Sequence, residues 1–272
     1  SAAGSTSRAI RIDNADSTYR LAQAGDILVY EVTATERELR DSTVIAEGSI
    51  STTLQLEHFN PPASVAPLYK NMTEELQSRG DRVLKIIQTL GTGGQISDTT
   101  VAYNTASVRE VYDDDGAYLE YRDSDEDGSP EAYFLDYLPP LQAGSSFVVE
   151  YYQQKVSGWV DRQPYWEGRR EWSVSTVRTV QVPLDLIEVY EITYSDERVY
   201  LDYFVIGYQA RGAERQQGKI FVHPKIGIVK SQITFDSDQT LVDANNAYSG
   251  SWSQQEVLWE LTNVNFVIPA AE

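Results

Sequence analysis

Apolar and polar side chains alternate with a period of two through most of this chain, and this restricts the fold more than any other sequence feature. Between positions 27 and 34, Leu28, Tyr30 and Val32 fall on one face of an extended strand, whereas Glu31 and Thr33 fall on the other. A period of two is the pattern of a β-strand with one buried face. Segments of the same character, rich in β-branched and aromatic residues, lie at 44–59, 107–112, 117–122, 147–152, 172–182, 186–194, 199–208, 219–223, 226–235 and 256–268.

This series of short strands predicts a mainly β protein with an antiparallel sheet. The turn sequence Asp114-Asp115-Gly116 between two of the strands is typical of a tight hairpin. We expect one domain over residues 19–272, folded as a curled sheet, a half-barrel or a sandwich. A chain of 272 residues can bury a sufficient core without cross-links. It contains no cysteine, which excludes a thiol nucleophile and a cysteine-ligated metal.

A short helix is predicted at residues 66–78. Leu68, Met72 and Leu76 recur every four residues, Pro67 suits the first helical turn, and Gly80 follows as a stop. The next segment, residues 82–90, fits either a helix or a strand.

The last strand contains a change of phase. Val257 and Leu261 place the apolar face on odd positions, whereas Val264 and Ile268 place it on even positions. A one-residue slip turns every side chain to the opposite face of a strand. The sequence therefore predicts a bulge or bend near Thr262-Asn263 that keeps both sets inside.

An acidic segment at residues 123–131 resembles the opening of a calcium-binding loop. Asp123, Asp125 and Asp127 alternate before a glycine, Ser129 could supply its backbone carbonyl, and Glu131 falls where a direct or water-mediated ligand is expected. The flanking segments are predicted strands rather than helices, so other residues would have to complete the site. The alternative interpretation is a solvated acidic turn held by side-chain to backbone hydrogen bonds.

A second candidate site lies in the segment 157–172, which combines aromatic and basic residues. Its candidate ligand-binding residues are Trp159, Arg162, Tyr165, Trp166 and Arg169. Aromatic rings next to arginines suit sugar binding or a protein contact. The alternative is that the tryptophans cover the core at a sheet edge while the arginines neutralise neighbouring acids.

Catalytic and nucleic-acid-binding functions find little support in the residues. No nucleophile elbow, zinc-protease motif or phosphate-binding loop is present. His58 lies in phase with an apolar strand face and His223 precedes a proline, so both are interpreted as structural. With 22 basic and 41 acidic residues the net charge is −19, which disfavours nucleic acid as a partner.

Residues 1–18 begin with small residues and are predicted to form a flexible N-terminal tether. Such a tether joins an exported domain to a lipid anchor or a preceding segment. A frayed terminus is the alternative.

Strand and turn patterns in the C-terminal half resemble those of β-rich bacterial envelope proteins, many of them lipoproteins of unknown function. The sequence Lys-Ile-Gly-Ile-Val-Lys at 225–230 is similar to their Gly-x-Gly-hydrophobic-Val-Lys strand, although Lys225 replaces the first glycine. Residues 182–190 and 138–144 resemble two further segments, although the Ala-Gly-Thr of the first is replaced here by Leu184-Asp185-Leu186. The resemblance implies an exported, lipid-tethered β domain, and some relatives are shaped like the half-barrels of lipoprotein carriers.

These observations favour a non-enzymatic module in the periplasm, tethered to the outer membrane or at the cell surface. Its partner would be an unknown ligand, a glycan or an envelope protein, with calcium as a candidate structural ion. The alternatives are a carbohydrate-binding module, which would use exposed Trp and Tyr residues, and a lipid or lipoprotein carrier.

Overall fold

The computed structural model describes residues 9–12, 17, 19–20, 23–38, 41–58, 82–91, 94–103, 107–113, 116–122, 131–133, 141–156, 166–200, 203–205, 208–243 and 248–268. Every secondary-structure element within these ranges is a β-strand, and the strands form one antiparallel sheet, as the alternation predicted. The predicted helix at 66–78 lies outside the described residues. Residues 82–90, which fitted either structure, form a strand.

The strands, numbered in chain order, are β1 (Ile27–Glu38), β2 (Val44–His58), β3 (Arg82–Leu90), β4 (Gly94–Tyr103), β5 (Ser107–Asp113), β6 (Gly116–Arg122), β7 (Glu131–Tyr133), β8 (Ser146–Val156), β9 (Trp166–Gln181), β10 (Leu186–Tyr200), β11 (Tyr203–Val205), β12 (Tyr208–His223), β13 (Gly227–Asp243) and β14 (Tyr248–Val264). The predicted hairpin after β5 is confirmed, because Asp113 pairs directly with Gly116.

The order of strands across the sheet is β10-β9-β8-β6-β5-β4-β3-β2-β1-β14-β13-β12-β11, and β7 pairs with β6. Most neighbours are consecutive in the chain, whereas β1 lies beside β14. In addition, β10 at one end of this order pairs with β12 near the other, from Tyr190↔Val222 to Val199↔Ala213. The sheet therefore curls until these two strands meet, which agrees with the predicted curled sheet.

The predicted irregularity in the last strand is confirmed. Val29 pairs with Asn263 while the next residue, Tyr30, pairs with Leu261, so Thr262 is the extra residue of a bulge. Leu261 is fully buried, and Val264 packs against the same hydrophobic cluster. The bulge therefore keeps apolar residues from both sides of the phase change inside, as a single inserted residue should.

The larger core cluster joins the two ends of the chain to the β9–β10 turn. Its buried members are Tyr30, Val32, Val182, Ile187, Val189, Phe221, Ile226, Val229 and Leu261. The backbone N–H of Leu184 donates to the carbonyl of Leu261 at 3.1 Å, which attaches the turn to β14. A neighbouring cluster lies at the β9–β10–β12 junction and contains Leu141, Trp172, Val174, Ile192, Ile220 and Val222.

Part of the segment that was predicted as a tether lies against the sheet. Ile10 forms a parallel bridge with Ile187, and the backbone N–H of Ile12 donates to the Glu188 carboxylate at 3.0 Å. Residues 9–12 are thus attached to the beginning of β10.

Candidate binding site

A buried ionic cluster lies on β9 and β10. The side chain of Asp196 is fully buried, and its Oδ2 atom accepts hydrogen bonds from Arg170 Nη2 at 2.9 Å and Arg198 Nη2 at 3.0 Å. The Nε atoms of both arginines lie 3.2 Å from the same oxygen. The side chains of Arg170 and Arg198 are 10% and 17% exposed, respectively. Two guanidinium groups therefore bind one carboxylate in an environment that excludes most water.

Strand register explains why these side chains meet. Asp196 is the cross-strand partner of Arg170 on β9 and of Gln216 on β12. Directly opposed residues in an antiparallel sheet share a face, and so does the residue two positions along a strand. Arg198 therefore joins the same face, and its own partner on β12 is the half-buried Glu214.

Aromatic and amide groups extend this cluster. The hydroxyl of Tyr194 lies 3.4 Å from both Asp196 Oδ2 and Gln216 Oε1. The ring of Trp172 lies 6.3 Å from that of Tyr194, and the Arg170 guanidinium lies 5.8 Å from the Trp172 ring. The buried indole N–H of Trp172 has no hydrogen-bond partner in the described part of the chain. We refer to Arg170, Tyr194, Asp196, Arg198 and Gln216 as the Asp196 cluster.

The chemistry of the Asp196 cluster is mixed rather than purely basic. Arginine side chains only donate hydrogen bonds, carboxylates only accept them, and the tyrosine hydroxyl and glutamine amide do both. Glu214, the cross-strand partner of Arg198, adds a second carboxylate at this end of the cluster. The set therefore suits a ligand that both donates and accepts, such as one rich in hydroxyl groups.

A second ionic cluster centres on Glu191. Its carboxylate is 10% exposed and accepts from Arg178 at 2.6 Å and from Lys219 at 2.5 Å. Burial alone would raise the pKa of Glu191, but the hydrogen bonds and charges of Lys219 and Arg178 outweigh it and hold the pKa below its ordinary value. Because residue 191 is odd-numbered in the same strand as Asp196, it faces the opposite side of the sheet. We interpret the Glu191 group as structural.

His223 is buried and its ring atoms are engaged. The backbone N–H of Lys225 donates to Nδ1 at 3.1 Å, so the proton lies on Nε2, which donates to the carbonyl of Arg11 at 3.2 Å. Burial lowers the pKa of His223, and the hydrogen bond to the Arg11 carbonyl opposes this effect in part. The charge of Lys225 lowers the pKa by a smaller amount, and that of Glu188 raises it. These contacts agree with the structural interpretation and tie residues 9–12 to the end of β12.

The residues predicted to bind calcium are placed only in part. Asp123, Asp125, Asp127 and Ser129 lie outside the described residues, and Glu131 begins β7. Among residues that the structure describes, no group of three or more His, Asp or Glu side chains could hold a metal ion. The calcium loop therefore stays a prediction.

The predicted aromatic and basic site is also placed in part. Trp159, Arg162 and Tyr165 lie outside the described residues, and Trp166 begins β9. Arg169 is 55% exposed and pairs with Glu171 at 2.7 Å. It points away from the face of Arg170, since adjacent strand residues alternate. Residues from Trp166 onwards therefore belong to a strand.

Sequence reasoning missed the Asp196 cluster. The predicted strands at 186–194 and 199–208 leave residues 195–198 between them, whereas β10 continues through these residues to Tyr200. A signal was present: even-numbered Tyr194, Asp196 and Arg198 continue the face of Ile192. Only the pairing with β9 and β12 shows that this polar continuation is buried.

No protein-family model matches this chain, and no curated protein sequence matches it. Among solved structures, it is similar to a candidate lipoprotein from Parabacteroides distasonis, with a TM-score of 0.38 and 8% identity over 92% of this chain and 100% of the other. It is also similar to a candidate exported protein with a YmcC-like fold from Bacteroides fragilis, with a TM-score of 0.36 and 10% identity over 92% and 99% of the two chains. No helix in the described part of the chain is long and apolar enough to cross a membrane.

Proposed function

We propose that this chain is a non-enzymatic, exported module that binds a carbohydrate beside the Asp196 cluster. The observation that carries the proposal is the fully buried Asp196 carboxylate bound by two arginines that retain some exposure. Burying charges is costly, and replacing such groups by apolar ones is often neutral or stabilising. A polar group kept in this position therefore supports a role beyond stability.

The position of the cluster connects it with the aromatic segment at 157–166. Trp166 pairs with Tyr200, and the next pairs along the strands lead to Gly168↔Arg198 and then Arg170↔Asp196. The chain thus enters β9 at the end of the β9–β10 pair where the two arginines lie. At about 3.4 Å per residue, Arg170 follows Trp166 by roughly 14 Å, a span that one oligosaccharide can bridge.

The hydrogen-bonding groups and the neighbouring rings support a sugar ligand. Sugar hydroxyls both donate and accept, as the Asp196 cluster requires. Aromatic rings that carry a polar group suit a surface that is partly apolar and partly wet. The bonding of His223 supports a non-enzymatic role, because both of its ring nitrogens are engaged in structural contacts.

A glycan array with neutral and acidic oligosaccharides tests this proposal. We expect the wild-type chain to bind a glycan and Trp166→Ala and Arg198→Gln to lose most of that binding. Arg169→Gln is the matched control, since Arg169 lies next to Arg170 on the opposite face, and it should bind like wild type. Melting curves of all variants identify any that are unfolded. Absence of glycan binding, or equal binding by all folded variants, contradicts the proposal.

Mass spectrometry of the purified native protein provides an independent outcome. A co-purified acyl chain would favour the lipid-carrier alternative over carbohydrate binding. Fractionation of the native host tests export, and recovery in the cytosol would contradict it.

A further inference from the structure

Within the described part of the chain, the first half of β2 has a paired strand on one side only. This strand pairs with β1 from Val44 to Gln55, but it pairs with β3 only from Thr52 onwards. Among the described residues, no strand lies on the second side of residues 44–51. All eight of these residues are exposed.

The free edge presents backbone hydrogen-bonding groups in a defined pattern. The carbonyl of Ser51 accepts from the N–H of Gly91 at 2.8 Å, so it points away from β1. In an antiparallel strand, alternate residues direct both backbone groups to the same side. The N–H and C=O groups of Glu47 and Ser49 therefore also point outward, where a further strand could pair with them.

Apolar side chains accompany this edge. Val44, Ile45 and Ile50 are 45%, 56% and 39% exposed. The regular part of the edge begins at Ala46, because the pairing with β1 shifts by one residue at Ile45. Exposed edge strands favour pairing with another chain unless charges, proline or bulges prevent it. Here one bulge protects only the beginning, and no strand among the described residues covers residues 46–51.

The acidic side chains beside this edge indicate the kind of partner. Glu47 lies on the same face as Glu31, to which the Ser49 hydroxyl donates a hydrogen bond. A second copy of this chain, paired antiparallel about Glu47, would bring two like charges into direct opposition, which is unfavourable. The net charge of −19 opposes self-association further. A basic strand satisfies the same edge without this repulsion.

We propose that residues 46–51 of β2 are a docking edge for an extended, basic segment of a partner protein, which adds to the sheet as a further strand. Such strand addition uses main-chain hydrogen bonds for affinity and alternate side chains for specificity. The added segment would place Lys or Arg beside Glu47 and Glu31 and apolar residues beside Ile50. This inference does not depend on carbohydrate binding at the Asp196 cluster.

A fluorescently labelled hexapeptide of alternating Lys and Val is the probe, and a Glu-Val hexapeptide is its control. Fluorescence polarisation should show binding of the basic peptide only. Ser49→Pro removes an outward N–H without touching the pairing with β1, so the fold should survive while affinity falls at least roughly tenfold. Ser49→Ala retains the N–H and is the matched control, which should bind within about twofold of wild type.

Hydrogen exchange distinguishes strand addition from general attraction to an acidic surface. The amides of Glu47 and Ser49 should become protected when the peptide binds, because both N–H groups then enter a ladder. Equal binding by Ser49→Pro and Ser49→Ala, or binding without that protection, overturns the proposal. Analytical sedimentation provides a further test. A wild-type dimer that Ser49→Pro abolishes also overturns the proposal, because the edge would then pair with a second copy of this chain.

Discussion

The hydroxyl of Thr262 donates a hydrogen bond to the backbone carbonyl of Val29 at 2.9 Å, at the point where the pairing of β1 with β14 shifts by one residue. The side chain thus occupies the bulge and bonds to the strand opposite it. Thr262→Ala should cost about 1 kcal/mol, the value of one such hydrogen bond.

Deleting Thr262 should cost little more than Thr262→Ala. The deletion removes the extra residue, so the pairs Val29↔Asn263 and Tyr30↔Leu261 become consecutive and Val264 and Ile268 stay on the core face. One alanine inserted between Asn263 and Val264 would instead turn Val264 and Ile268 toward the opposite face, and exposing two apolar side chains should cost roughly 3–5 kcal/mol in the free energy of unfolding. Urea denaturation measures all three variants, and a deletion that costs as much as the insertion would show that Thr262 is not the extra residue.

Asp196→Asn should destabilise the protein strongly. The substitution retains the shape of the side chain but leaves Arg170 and Arg198 without the carboxylate that they share. Breaking a buried ion pair by removing one partner typically costs about 3–5 kcal/mol. Glu197→Gln is the control at the next position, because Glu197 and Arg215 are 51% and 62% exposed. That pair should contribute less than about 1 kcal/mol, so equal destabilisation by the two variants would contradict the burial argument.

His223 should make stability depend on pH between neutrality and mild acid. Its pKa is lowered from 6.5 in the folded protein, so the unfolded chain binds more protons between the lowered value and 6.5. The free energy of unfolding therefore falls as the pH falls through this window, by at most about 1.4 kcal/mol per pH unit.

Chemical denaturation from pH 7.5 to 5 tests this dependence. His223→Gln should flatten the pH profile in this range. The lowered pKa of Glu191 also makes stability depend on pH, but stability is lost only as the pH falls below about 4.5. Glu191 therefore does not contribute to the profile between pH 7.5 and 5. A profile that His223→Gln leaves unaltered would exclude this residue as its origin.

Gly218 should not tolerate a larger side chain. A Cβ at this position would lie 2.0 Å from the carbonyl oxygen of Gln232 and 2.9 Å from the Cα of Ile233, both on the paired strand β13. Backbone atoms cannot move aside as a flexible side chain can, so Gly218→Ala should cost about 1–3 kcal/mol. Gly48 has nothing within 4 Å, and Gly48→Ala should be neutral or slightly stabilising. Thermal melting compares the Gly218→Ala and Gly48→Ala variants. Similar melting temperatures would contradict the close contact between Gly218 and the backbone of β13.

Calcium should raise the melting temperature if the loop at 123–131 binds it. A ligand that binds only the folded state stabilises that state in proportion to the logarithm of its concentration over Kd. Asp125→Asn should remove most of the effect of millimolar calcium, and magnesium should reproduce little of it. Melting curves that calcium leaves unchanged would favour the solvated acidic turn.

The sequence by itself predicted most of the strands, because alternation is a local property of neighbouring residues, although it left β3 open between helix and strand and did not predict β4. It also predicted the hairpin at Asp114-Asp115-Gly116 and a bulge or bend near Thr262-Asn263, since turn residues and a change of phase are visible within a few positions. The same local logic failed at residues 195–198, which lay between two predicted strands but belong to β10.

Only the tertiary structure decided which strands meet. The pairings of β1 with β14 and of β10 with β12 join residues far apart in the chain, and alternation gives the face of a strand but not its neighbour. Those pairings depend on the free energy of the whole sheet, including the entropy of closing long loops. Asp196 therefore lies between Arg170 and Gln216 because β10 has two neighbours, which its own sequence does not specify.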